Sequence, residues 1–345
     1  YDVRLRAFQM LEAYYKQNQN FYQYDWVKFM RFQHNFLLGD LNVLDALIDN
    51  AYTNEIKNKY RLRKLNYYTA HGNIKENPTY FKQAIELIDT LKSQVLSKEL
   101  SDQISAQEKY IKNKRLLVFN EPILYNEQHN KILVDFKNID TLYNFIYKVD
   151  DLQTFNKLKS DSLYFDYIKS HKPFQVLETA MPNSGDYNIN TTEVLLPDFS
   201  QGYYVLVSSY EKNVTENTAS VRFNPFLVSD VFIVYKVFDD FFELQLLNRK
   251  TGKPLPETTI SVFEERYVTD ENGFVKMKMF EEEFDRNANY DVFVFTDDFI
   301  YQETFKGKDF YFYDNNSDDD EKHIMSFIYT DRGLYRSGQD VYYKI

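Results

Sequence analysis

The 345-residue sequence contains no cysteine and only one tryptophan. Without cysteine the chain has no disulfide bond, no thiolate metal ligand and no cysteine nucleophile. Because disulfide-free proteins occur in reducing and in oxidising compartments, this absence assigns no compartment. No stretch approaches about 18 uncharged apolar residues, so the sequence predicts no membrane-spanning helix. Residues 1–4 lack the basic and apolar segments of a signal peptide, and we expect any such signal to lie upstream.

Charge is divided unevenly along the chain. Residues 1–115 hold 18 Lys and Arg against 13 Asp and Glu, whereas residues 116–345 hold 23 against 39. The acidic second part repels phosphate backbones, which argues against nucleic acid as a partner. The basic residues of the first part lie on helical faces rather than in one run, which is typical of solvated helices.

Proline and glycine are also divided unevenly: residues 1–115 contain only Pro78, Gly39 and Gly72, and the remaining seven of each follow. Since these residues punctuate short elements, the shift predicts an α then β multidomain chain. We predict a helical hairpin domain over 1–115, antiparallel and TPR-like (tetratricopeptide-like) because its loops are short, although no repeat of about 34 residues is readable. Asp40 is expected to cap one helix, and Asn77-Pro78 to start another, with Pro78 near its first turn.

Apolar side chains recur at helical spacing in four segments of this domain. The predicted buried faces are Val3, Leu5, Phe8, Leu11 and Tyr15; Trp26, Phe29, Met30, Gln33 and Leu37; Leu41, Leu44, Leu47 and Ile48; and Phe81, Ile85, Ile88, Leu91 and Val95.

From about Arg115 the apolar residues alternate, as at Ile132, Val134 and Phe136, which predicts strands. We predict a first β-sandwich over 116–222, with an insertion of helical character near 150–171. In the segment 196–204 a proline and a glycine bracket a tight turn, and we expect the ring of Tyr203 to lie beneath it.

A second β-sandwich is predicted over 223–313. A turn containing Thr251, Gly252 and Pro254 should be followed by a strand that the proline keeps from a central position. Residues 269–273, including Asp270, predict a hairpin turn in which Gly273 takes a positive φ.

Residues 314–326 are rich in Asp, Asn and Ser, and oxygen-bearing side chains at 314, 316, 318 and 320 suggest a calcium loop. However, Asp319 stands where an EF-hand loop requires glycine, and Met325 stands where it requires glutamate. We interpret 314–326 as a solvated acidic linker that binds no metal.

No catalytic, cofactor-binding or metal-binding motif is present. The five histidines, at positions 34, 71, 129, 171 and 323, are too widely spaced to supply paired zinc ligands. No nucleophile elbow, HExxH motif or phosphate-binding glycine loop occurs. The sequence therefore predicts a protein that is not an enzyme and needs no cofactor.

Residues 327–345 contain the most specific pattern. In TDRxxYRxGQxV, the fixed positions are Thr330, Asp331, Arg332, Tyr335, Arg336, Gly338 and Gln339. The run predicts a strand, a turn and a second strand from Val341. Because a lone hairpin leaves its strands unpartnered, we expect a truncated third domain here and a longer protein beyond it.

This signature resembles the opening of a macroglobulin domain in bacterial alpha-2-macroglobulins, with Ser337 in place of the family's proline. The 196–204 corner and the TGKPL and TDENG turns also resemble segments of these domains. The resemblance, to the N-terminal portion of a Bacteroidetes-type member, implies immunoglobulin-like macroglobulin β-sandwiches. It further implies an endopeptidase inhibitor, or protease trap, of the periplasm or outer membrane. The family's Cys-Gly-Glu-Gln thioester is absent from these residues.

In such a protein residues 1–345 would supply scaffold and docking surface. The implied partners are downstream domains of the same protein and target proteases or envelope proteins, with membrane anchoring through an upstream lipidated cysteine. The alternative function is a non-inhibitory envelope scaffold subunit or a glycan-binding surface lipoprotein.

Overall fold

A computed structural model describes residues 3–35, 41–73, 76–94, 96–126, 130–216, 219–237, 241–278, 288–296, 299–306, 329–330, 341 and 343–344. The predicted linker 314–326, the cap Asp40 and six signature positions lie outside the described residues; the six are Asp331, Arg332, Tyr335, Arg336, Gly338 and Gln339. The chain divides into two compact units.

The first unit is built mainly from helices. The described residues form α1 Val3–Gln17, α2 Phe21–Asn35, α3 Leu41–Asn50, α4 Asn54–His71, α5 Tyr80–Lys92 and α6 Lys98–Lys112. Contacts join α1 to α2, α3 to α4, α4 to α5 and α5 to α6. One apolar cluster surrounds Phe29, Ile56 and Tyr60, and another surrounds Phe81 and Ile88.

The predicted apolar face of α5 is confirmed at Phe81, Ile88 and Leu91, which are fully buried. Helix α5 begins later than predicted, at Tyr80, whose amide donates to the carbonyl of Asn77 in the preceding turn (3.2 Å). Pro78 therefore lies in that turn, near the first turn of the helix, as predicted.

The predicted faces of α1 and α2 need correction. Val3 is 81% exposed and Met30 is 45% exposed, so apolar spacing placed them inside wrongly. Asp25 is buried instead, because its Oδ2 accepts the amides of Tyr52 and Thr53 (2.8 and 2.7 Å) just before α4. A carboxylate that satisfies backbone donors can be buried where a hydrophobic pattern predicts only apolar groups.

Two later segments, Asp135–Leu142 and Ala180–Thr192, belong to the helical unit. The side-chain amide of Asn138 donates to the backbone carbonyls of Ile111 and Asn113, both at 3.0 Å. The ammonium of Lys137 lies 4.4 Å from the ring centroid of Phe81, and burial lowers the pKa of this lysine. A side chain from the region predicted to form strands thus makes hydrogen bonds at the C-terminal end of α6.

The strands that follow are β1 Arg115–Phe119, β2 Ile123–Leu124, β3 Lys131–Lys137, β4 Thr141–Val149, β5 Gln175–Ala180, β6 Asn190–Leu195, β7 Gly202–Ser209 and β8 Val221–Val228. They form a sheet of order β1-β3-β6 and a sheet of order β2-β8-β7-β4-β5. Strand β7 pairs antiparallel with β4 and β8, whereas the short β2 pairs parallel with β8. Helices α7 Leu152–Lys157 and α8 Asp161–Ser170 lie between β4 and β5.

Strand β7 is central, and all eight of its residues are buried. Tyr204, not Tyr203, occupies the predicted place at the corner: its hydroxyl donates to the carbonyl of Ser200 (3.0 Å), and its ring packs on Phe199 and Phe226. The prediction was wrong by one residue. Neighbouring strand residues point to opposite faces, and the sequence did not show that both faces are covered.

The second sandwich contains β9 Val231–Val237, β10 Phe241–Asn248, β11 Thr259–Val262, β12 Glu265–Val268, β13 Phe274–Lys278, β14 Asn289–Phe295 and β15 Ile300–Lys306. Its two sheets have the orders β13-β10-β9 and β12-β11-β14-β15, with antiparallel pairing. A separate pair joins β16 Tyr329–Thr330 to β17 Tyr343–Lys344 and places Thr330 opposite Tyr343.

Two expectations for this sandwich are wrong. Strand β11, which follows Pro254, is internal to its sheet. Four residues separate the proline from the strand, and Pro254 makes only an isolated bridge to Leu247. Residues 269–273 do not form a hairpin, because β12 and β13, which they connect, belong to different sheets. Turn residues indicate a change of direction but not the strand that will be the partner.

Candidate functional site

Two loops of the second sandwich meet where the chain crosses between its sheets. The first, residues 249–258, leads from β10 to β11, and the second, residues 269–273, leads from β12 to β13. We call these two loops the crossover pair. They contain all five signature positions of this sandwich that the sequence singled out: Thr251, Gly252, Pro254, Asp270 and Gly273.

The first loop of the crossover pair turns on Asn248. Its Oδ1 accepts the amides of Lys250 (3.1 Å) and Thr251 (2.9 Å) and the Thr251 hydroxyl (3.0 Å). Gly252 has a φ of +67° and donates to the Asn248 carbonyl (2.7 Å). The side-chain oxygen thus replaces a backbone turn partner, as asparagine does in tight turns.

The second loop turns on Asp270. Its Oδ1 accepts the amides of Asn272 (2.9 Å) and Phe274 (2.7 Å). Gly273 has a φ of +75°, as predicted, and a β-carbon at this position would clash with the carbonyl oxygen of Leu246. Only glycine fits both the backbone angle and this close approach.

Thr269 ties the two loops together. Its hydroxyl donates to the carbonyl of Leu255 (2.7 Å) and accepts the amide of Thr258 (2.9 Å), and the residue is 3% exposed. The side-chain amide of Gln245, in β10, donates a further hydrogen bond to the carbonyl of Asn272 (3.0 Å). The sequence pattern placed Thr269 only as the first residue of a turn, because it contains no information about a partner 14 residues away.

A second feature is the contact between the two sandwiches. The hydroxyl of Tyr203 in β7 donates to the carbonyl of Ile300 in β15, and its ring lies 5.2 Å from Phe155 of α7 and 6.0 Å from Phe299. Burial, reinforced by the charge of Asp151, raises the pKa of Tyr203 to about 12. The phenol therefore stays protonated as a donor at physiological pH.

Helix α7 also makes a polar contact with β15, since the side-chain amide of Asn156 donates to Oε1 of Gln302 (2.7 Å). One apolar cluster runs through α7, α8, β7, β10 and β14, and includes Tyr203, Leu244 and Val294. The insertion near 150–171 thus fills space between the sandwiches, and the two share one core.

A polar cluster lies at the edge of this core. The hydroxyl of the fully buried Tyr301 donates to Oε2 of the half-buried Glu303 (2.6 Å). Burial raises the pKa of Glu303, against the lowering effects of this bond and of the nearby Arg249 charge. Burial also raises the pKa of Tyr301 well above its ordinary value. No feature of the sequence indicated this cluster.

Two of the histidines, His71 and His171, pack against neighbouring tyrosines. His71 stacks on Tyr67 and His171 on Tyr167, and the Nδ1 of each contacts that tyrosine's carbonyl (2.9 and 2.8 Å). Across the described part of the chain, no group of three or more acidic, histidine or cysteine residues could hold a metal ion. Among the same residues no helix is long and apolar enough to cross a membrane.

The sequence matches no protein-family model. No curated protein matches it either. Among solved structures it is similar to native alpha-2-macroglobulin from Escherichia coli spanning domains MG0-NIE-MG1, with 12% identity and a TM-score of 0.41 over 56% of this chain. A structure of domains NIE-MG1 has 12% identity and a TM-score of 0.38 over 55% of this chain and 96% of its own length.

A cryo-EM reconstruction of the native E. coli protein has 12% identity and a TM-score of 0.34 over 55% of this chain. This chain covers 64% of the MG0-NIE-MG1 structure and 12% of the cryo-EM structure.

Proposed function

We propose that these residues are the scaffold and docking part of a macroglobulin-like endopeptidase inhibitor. The supporting observation is the crossover pair. The five signature positions of this sandwich lie up to 22 positions apart along the chain, from Thr251 to Gly273, and all belong to these two adjoining loops. Thr251 and Asp270 form capped turns, Gly252 and Gly273 take a positive φ, and Pro254 makes an isolated bridge to Leu247.

The shared core supports the scaffold role. Domains that must keep their geometry while another part of a protein rearranges need a large apolar interface, because small polar interfaces allow relative motion. Tyr203, Phe155 and Phe299 belong to an apolar cluster that continues from one sandwich into the other. The two sandwiches would then move as a single body.

Several finer features form part of the proposal. The helical hairpins would be TPR-like, and the protein would be of Bacteroidetes type. It would act at the periplasmic or outer-membrane side of the envelope, anchored through a lipidated cysteine. Its partners would be neighbouring domains of the same protein and target proteases or envelope proteins. In this role the chain catalyses no reaction and needs no cofactor.

A size-selective inhibition assay tests the proposal. The product of the complete gene is mixed with a panel of endopeptidases, and cleavage of a large protein and of a short chromogenic peptide is measured. A trap excludes the large substrate sterically but admits the peptide, so we expect the first rate to fall and the second to persist. Residues 1–345 alone should leave both rates unchanged.

Three results would contradict the proposal. Equal loss of both rates would indicate an active-site inhibitor. Inhibition by residues 1–345 alone at a near-equimolar ratio would place the active element within them. No inhibition of any endopeptidase would favour the non-inhibitory envelope scaffold or the glycan-binding lipoprotein.

A further inference from the structure

The helical unit contains an open groove with a volume of about 1170 Å³. It runs along α4 and is bordered by α2 on one side and by the α5–α6 connection and the start of α6 on the other. Sites for small ligands usually measure about 300–1,000 Å³. The groove is therefore large enough for a stretch of polypeptide.

Positive charge predominates in this groove. Lys57, Lys59, Arg61 and Arg63 line it, against the two carboxylates of Glu55 and Glu99. Within the described residues none of the four cations forms an ion pair. Some other cations of the helical unit do form ion pairs, such as Lys64 with Asp45 (2.5 Å) and Arg31 with Glu12 (3.0 Å). Among the described residues of the unit, no ion pair therefore neutralises the charge of these four cations.

Two of the cations are held in place by neighbours that leave their charge available. The ammonium of Lys59 lies 4.8 Å from the ring centroid of Trp26. The guanidinium of Arg61 donates one bond to Oδ1 of Asn58 (2.9 Å), and its other donors form no hydrogen bond to a described residue. Such anchoring lowers the entropy lost when a ligand binds.

Amide side chains also line the groove, among them Gln33, Asn54, Gln94 and Gln103. Each carries both a donor and an acceptor, so it can pair with the peptide group of an extended chain. A polyanion such as nucleic acid needs a continuous basic track, and here the cations alternate with amides and carboxylates. The lining matches a polypeptide that carries separated negative charges.

We propose that this groove binds an extended acidic segment of a polypeptide partner. The cations hold the carboxylates of the segment, and the amides hold its backbone. The site lies entirely within the helical unit and is independent of protease inhibition. It would give the chain a second docking function.

The test uses the whole chain of residues 1–345 and a fluorescein-labelled ten-residue peptide of alternating Gly and Glu, with fluorescence anisotropy as the readout. The peptide in which Gln replaces Glu should bind at least tenfold more weakly. The double variant Lys57→Glu/Arg63→Glu should also lose at least tenfold in affinity. The matched control Lys82→Glu/Lys109→Glu makes the same charge change on exposed positions of α5 and α6 outside the groove and should retain affinity within about twofold. Circular dichroism of each variant confirms that the helices are intact.

Equal weakening by both double variants would reduce the effect to general charge attraction and overturn the proposal. So would equal binding of the Gln peptide. Tighter binding of a ten-nucleotide single-stranded DNA than of the acidic peptide would assign the groove to another class of polyanion.

Discussion

The backbone amide of Leu246 in β10 donates to the carbonyl of Gly273 across 2.9 Å, although strands β11 and β12 lie between the two residues along the chain. Leu246 also accepts, at its own carbonyl, the amide of Leu255 (3.0 Å). One leucine thus connects both members of the crossover pair. Gly273, one of the signature positions of this sandwich, is a conformational requirement of that connection.

Gly273→Ala should destabilise the chain by about 2–4 kcal/mol, because it combines a left-handed backbone angle with a clash against the Leu246 carbonyl. Gly252→Ala is the matched control. Its φ of +67° is similar, but no heavy atom of the described residues lies within 4 Å of the new β-carbon, so about 1–2 kcal/mol should be lost. Urea unfolding of both variants measures the difference. Equal losses would contradict the close approach at Gly273.

Tyr204→Phe should reduce the free energy of unfolding by about 1–2 kcal/mol, because the Ser200 carbonyl loses a buried donor. Tyr52→Phe removes a hydroxyl from a side chain that is 56% exposed, and should change stability by no more than about 0.5 kcal/mol. Thermal unfolding of the two variants distinguishes a corner held by Tyr204 from a general effect of removing phenols.

Glu303→Gln should stabilise the chain at neutral pH and have progressively less effect as the pH falls. The folded-state pKa of Glu303 is raised, mainly by burial, so the folded chain binds this proton more tightly than the unfolded chain does. Stability is therefore lost as the pH rises from the ordinary glutamate pKa through the raised one, and glutamine removes that loss.

Denaturation of Glu303→Gln across a pH range of about 4 to 8 measures this dependence. The control Glu271→Gln removes the same charge from an exposed turn. A stability difference for Glu303→Gln that stays constant across the range would contradict the account.

Glu264→Gly should stabilise the chain by about 0.5–1 kcal/mol. The two-residue loop between β11 and β12 has positive φ at both Phe263 (52°) and Glu264 (63°), the arrangement for which glycine is favoured at the second position. The control Glu271→Gly, in a turn where φ is not positive, should be destabilising. Chemical denaturation tests the pair, and destabilisation by Glu264→Gly would show that side-chain contacts outweigh the backbone strain.

The sequence predicted the change from helix to strand because that change depends on local information. Proline and glycine frequency and apolar periodicity placed helices before Arg115 and strands after it, as the structure confirms. The positive φ of Gly273 was likewise predictable from a turn motif. Each of these depends on a few neighbouring residues.

Partners distant in sequence were not predictable. Whether Tyr203 or Tyr204 lies under the corner depends on what covers each face of β7. Whether residues 269–273 form a hairpin depends on which sheet receives β13. No sequence pattern indicates the polar contact between Tyr301 and Glu303, because alternation along a strand does not tell which of its two faces is buried. The groove along α4 needs three helices to be in place before its cations share one surface.

The claim that the two sandwiches form one scaffold is tested most directly by native-state hydrogen exchange on Tyr203→Phe. This change removes the donor to the Ile300 carbonyl and leaves the ring in the shared core. If the core is continuous, amides in β7 and in β14 open together. We therefore expect the variant to lower their protection by the same amount. Reduced protection in β14 with β7 unchanged would show that the second sandwich opens independently, and would contradict the account.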